Sequence, residues 1–155
     1  MAEVPPGAST WERRIFQLLQ SHAEAEEQVQ AEYRELATTV DAADVRFLIR
    51  LILEDEARHH RWLGQLSDSV KALIEGEPEP EIPWIQPLHN RGELFKTTKR
   101  FLAVEQEDAK GLRRILKELH DVEETMLWPL VVRLMLRDTE KHIEILRFIQ
   151  QRAKG

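Results

Sequence analysis

The residues best suited to chemistry lie in the run Leu51–Leu63, LILEDEARHHRWL. Reading every third or fourth position gives Val45, Leu48, Ile52, Glu56, His59, Leu63 and Leu66. That is one face of a helix, apolar at both ends, with a carboxylate and an imidazole in its middle. Burying an unpaired carboxylate is costly, so its place on an otherwise apolar face calls for a partner. Glu56 and His59 sit one turn apart on the same side and can hold a single cation between them. A lone Glu-x-x-His is weak evidence, because a polar interruption near an exposed helix end looks the same. The pattern recurs, however. His22 and Glu26 interrupt the stripe Ile15, Leu19, Val29, Tyr33, Leu36, and Glu105 interrupts Leu94, Thr98, Phe101, Leu112, Ile115, Leu119. Asp138, Thr139 and His142 interrupt Val131, Met135, Ile145, Ile149. Four interruptions at matching depth point to a shared carboxylate and imidazole site. His60 is turned off this face and is expected on the surface, and His89 falls in a connecting segment.

These stripes imply four long helices near 10–38, 42–74, 91–119 and 122–152. Residues 1–8, with Pro5, Pro6 and Gly7, read as a short mobile tail, and 9–155 as one domain. Ser9 or Thr10 can cap the first helix, with Glu12 in its first turn. Val40-Asp41 reads as a tight turn with Asp41 as cap, making the first two helices antiparallel neighbours. His120-Asp121 reads as a second tight turn, with Asp121 and Glu124 as a capping box and Pro129 kinking the last helix. Between helices two and three, the crossover 76–90 contains GEPEPEIPWIQP, which is too rich in proline to be helical. It is long enough to run beside the helices, and Trp84 and Ile85 are expected to pin it against them.

Composition narrows the function. A length of 155 residues suits one domain with a real core. The net charge of −6, with both signs interspersed, argues against a nucleic-acid surface. With no cysteine, disulfides, thiolate chemistry and iron–sulfur clusters are excluded. No apolar run is long enough to span a membrane and the N-terminus lacks a signal pattern, so a cytoplasmic protein is expected.

The two halves also repeat. Glu26–Tyr33, EEQVQAEY, matches Glu105–Leu112, EQEDAKGL, and LEDEARHHRWL matches LRDTEKHIEIL. Asp55 thereby falls on Asp138, Glu56 on Thr139, Arg58 on Lys141 and His59 on His142. Two homologous helical hairpins joined by a long crossover predict an all-α four-helix bundle.

Over residues 10–152 the chain resembles the ferritin-like superfamily, nearer its rubrerythrin branch. Proteins of that kind hold two metal ions with one Glu from each of two helices and a Glu-x-x-His from each of the other two. The resemblance implies metal ligation by Glu26, Glu56, His59, Glu105 and His142, converging in the bundle interior, with iron as the metal and manganese as an alternative. It also assigns Asp55 and Asp138 to hydrogen-bonding the ligating imidazoles. Thr139 stands where the second Glu is usual, so one ligand is missing. The expectation is two ions of unequal affinity, or one ion if the Thr139 side is empty, with Asp138 or His22 as candidate replacements. Such a centre implies oxidase or peroxidase chemistry on oxygen or peroxide. The alternative is a metal-depleted or single-metal bundle without turnover, and a homodimer is left open.

Overall fold

The structure is a computed structural model that describes residues 4–77 and 80–155. The fold is all-α, with four long helices: α1 Thr10–Thr39, α2 Ala43–Glu75, α3 Arg91–Glu118 and α4 Trp128–Lys154. Among the described residues there is no strand, and no helix is long and apolar enough to cross a membrane. Helix α1 packs on α2 and α3 on α4, as two hairpins. The chain divides into two compact units, one ending at Ile85 and the other Gln86–Gly155.

In the first hairpin, α1 begins with a complete capping box. The Ser9 hydroxyl accepts from the Glu12 backbone N–H at 3.3 Å, and the Glu12 carboxylate accepts from the Ser9 backbone N–H at 2.7 Å. Two of the N–H groups that a helix start leaves unbonded are thus satisfied. Upstream, Pro5 is buried and the Ala8 N–H bonds the Pro5 carbonyl. Residues 1–3 of the expected tail lie outside the described residues. The turn into α2 is as short as expected, but its cap differs. Ala42, not Asp41, is the N-cap and makes no side-chain bond, while Asp44 supplies an acidic group to the first turn. At the other end, Gly76 adopts φ 75° and closes α2, a left-handed cap that costs glycine little. Phe16, Ile49 and Ala72 are the buried apolar side chains of this hairpin.

The second hairpin departs more from expectation. Helix α4 starts at Trp128 rather than 122, and the connection holds a short 3-10 turn at His120–Val122. No side-chain cap forms at this 3-10 turn or at the start of α4. Pro129 explains the shift: its ring would clash with the carbonyl of residue 125 in a continuous helix, and it has no N–H to bond it. In the first turn of α4 the missing N–H costs nothing, so Pro129 starts the helix instead of kinking it. Ala109, Leu112 and Ala153 form the buried apolar set here.

The described part of the crossover is non-helical, as the prolines require. Trp84 and Ile85 do not pin it, being 38% and 74% exposed. It is held by polar contacts instead, with the Ser69 hydroxyl within 3.4 Å of the Ile82 carbonyl and Arg152 donating to the Gln86 carbonyl at 2.5 Å. Backbone carbonyls carry these contacts, so the side-chain pattern gave no sign of them.

Candidate metal centre

Helix α1 supplies Glu26, and α2, running antiparallel beside it, supplies Glu56 and His59. One donor atom from each lies within 4.8 Å of the other two, and among the described residues this is the one group of three such side chains. The i, i+3 spacing of Glu56 and His59 puts both on one face of α2, opposite Glu26. Gln30, one turn beyond Glu26, fixes the register. It is buried, its amide donates to the Glu56 backbone carbonyl at 3.1 Å, and its carbonyl accepts from Arg34 at 2.9 Å. Nothing in the sequence pattern singles out Gln30, because a polar type on a helix carries no sign of burial.

Glu26 is the unusual member. Its side chain is only 13% exposed. One carboxylate oxygen, Oε1, lies 3.5 Å from His22 Nε2, while the other, Oε2, is buried and has no hydrogen-bond partner. A buried carboxylate oxygen without a donor is expensive, and native structures seldom leave one unexplained. Two carboxylates and an imidazole at this separation form an oxygen-and-nitrogen donor set suited to iron or manganese. The residues present therefore fit the metal that the sequence implies.

The second hairpin brings together the other two expected ligands. Glu105 Oε2 on α3 lies 3.5 Å from His142 Nδ1 on α4, and both are part-exposed. Thr139 is 5% exposed, and its hydroxyl donates to Asp108 Oδ2 at 3.0 Å. Each hairpin thus assembles its own share of the five expected ligands.

Charged neighbours flank these residues: Asp55 accepts from Arg58 at 2.5 Å, and Asp138 accepts from Lys141 at 2.7 Å. His60 is half-buried rather than on the surface, with Nδ1 shielded and unpartnered. On the exposed side of α3, Lys110 bonds Glu107 and, with Arg114, holds its carboxyl below the usual carboxylate range. These exposed pairs are solvated surface and add little.

Comparison with protein-family models, curated proteins and solved structures finds no match to this chain. The functional reading rests on the residues themselves.

Proposed function

We propose that this chain is a metal-binding protein of the ferritin-like, rubrerythrin-related kind, with iron as the metal and manganese as the alternative. Glu26, Glu56 and His59 hold a cation on the first hairpin, and Glu105 and His142 are a separate pair of candidate ligands on the second. The observation that carries the reading is the buried, unpartnered Oε2 of Glu26 beside Glu56 and His59. A divalent cation gives that oxygen the partner it lacks and neutralises two carboxylates held close together. A metal of this kind supplies redox chemistry toward oxygen or peroxide. The protein's part is to keep donors and spacing fixed: Gln30 ties α1 to the backbone at Glu56, and His22 flanks the other Glu26 oxygen.

A second reading, metal binding without turnover, draws on the second hairpin, where only the pair Glu105 and His142, 3.5 Å apart, comes together from the expected ligands. Elemental analysis after anaerobic loading with ferrous iron, beside a peroxide-consumption assay, separates the two. Glu56→Ala should lower retained metal at least tenfold, while Glu54→Ala, on the exposed side of α2, should leave it unchanged. Equal metal content in the two variants would contradict the assignment. Retained metal without peroxide consumption would select the second reading.

A further inference from the structure

We propose that Trp62 positions the His59 imidazole for the metal, and that Arg58, anchored by Asp55, holds Trp62 in place. The inference deepens the proposed function and rests on it, adding positioning residues to the donors Glu26, Glu56 and His59.

The first support is contact. Trp62 lies one turn beyond His59 on α2, and the two rings stand 6.1 Å apart between centroids, tilted by 34°. Aromatic pairs attract one another at that separation. Arg58 lies one turn before Trp62, with its guanidinium carbon 5.6 Å from the centre of the Trp62 ring. A terminal guanidinium nitrogen of Arg58 bonds Asp55 at 2.5 Å, while Nε is buried and has no hydrogen-bond partner. Leaving a buried N–H unbonded is costly, so the Trp62 face and the Asp55 carboxylate are what hold this cation. Asp55, Arg58, Trp62 and His59 form one run of contacts that ends on a donor.

The second is what a ligand needs. An imidazole that binds a metal gives up its side-chain rotation, and a neighbour that restricts the ring beforehand lowers that cost. Among the described residues no hydrogen bond or ion pair holds His59, and Trp62 is its aromatic neighbour. The Trp62 ring is 44% exposed, so burial in a core does not account for it.

The third is the internal repeat. Asp55, Arg58, His59 and Trp62 align with Asp138, Lys141, His142 and Ile145. The pairing of aspartate with a cation is kept, since Lys141 donates to Asp138 at 2.7 Å. The cation and its neighbour change together, Arg58 with Trp62 in one hairpin and Lys141 with Ile145 in the other. A planar guanidinium stacks on an aromatic face in a way that an ammonium does not. The aromatic stands in the hairpin whose three donors come together.

The test is a Mn²⁺ titration of the full-length, metal-free protein, read by calorimetry and tryptophan fluorescence, with circular dichroism confirming that each variant folds. Trp62→Ala should weaken binding by about 2–10-fold at unchanged stoichiometry, and Trp62→Phe, which keeps a ring against His59, should restore wild-type affinity. Bound Mn²⁺ should quench part of the wild-type emission, and that part should be missing in Trp62→Phe. Arg58→Lys keeps the charge but not the planar stack. It should weaken binding in the wild-type background and add nothing to Trp62→Ala, because it acts through Trp62. If Trp62 only covers the helix surface, Trp62→Ala will bind as wild type, or Trp62→Ala and Trp62→Phe will weaken binding equally, and the inference is overturned. Uptake that His59→Ala abolishes and Trp62→Ala leaves untouched would overturn the inference alone. No uptake by wild type would overturn the proposed function and the inference with it.

Discussion

Glu26→Gln separates a ligand from a structural carboxylate by the sign of its effect. The substitution keeps size and hydrogen-bonding capacity while removing one charge. In the metal-free protein, Glu26 and Glu56 are at most 4.8 Å apart at their nearest donor atoms. Two like charges at that distance repel by about 3–4 kcal/mol at an effective dielectric near 20. Solvent on the open side screens this to about 1 kcal/mol. Glu26→Gln should therefore raise the melting temperature of the chelated protein by about 2–4 °C. With metal at about a hundred times its dissociation constant, wild type gains about 2.7 kcal/mol and the variant should gain far less. The order of stability thus reverses between chelator and metal. Thermal melts followed by circular dichroism, with excess chelator and with Mn²⁺, provide the assay. A variant less stable than wild type by the same amount in both conditions would refute the reasoning and make Glu26 a structural residue.

Two further outcomes test the elements around the site. Gln30→Ala removes the buried bond from α1 to the Glu56 carbonyl and should cost about 1–2 kcal/mol in urea denaturation of the metal-free protein. Glu27→Ala, on the exposed face of α1, should change stability by less than about 0.5 kcal/mol; equal losses would contradict the anchoring role. At the start of α1, the Ser9 side-chain bond, then its backbone bond, hold the Glu12 carboxyl below its ordinary value. Because that value is lowered by folding, the stabilisation is present above the ordinary carboxylate range and disappears as pH falls through the lowered one. An NMR titration of Glu12 should show a depressed midpoint that Ser9→Ala moves back up, and an unchanged midpoint would count against the capping box.

The helices were legible in the sequence because each stripe has helical period over many turns, and Ser9 with Glu12 is a local signal that needs no tertiary context. Glu56 and His59 were legible for the same reason, since neighbours on one face need only the spacing. The start of α4 was not, because His120 to Glu124 has the composition of a turn and cap, while the deciding steric clash comes from Pro129, several residues later. Gln30 was hidden by its polarity. Whether a polar side chain on a helix faces water or the neighbouring helix depends on the pairing of α1 with α2 and of α3 with α4. Trp84 and Ile85 failed in the opposite direction: apolar type suggested packing, but backbone carbonyls hold that segment.

The central claim is that the buried carboxylate of Glu26, with Glu56 and His59, is a cation site. It is tested most directly by equilibrium dialysis of the full-length protein against ferrous iron without oxygen, followed by elemental analysis of the protein fraction. The account predicts stoichiometric iron in wild type and near-complete loss in Glu26→Gln. Wild-type protein that emerges folded and without iron, and equally without manganese in a parallel dialysis, would contradict it.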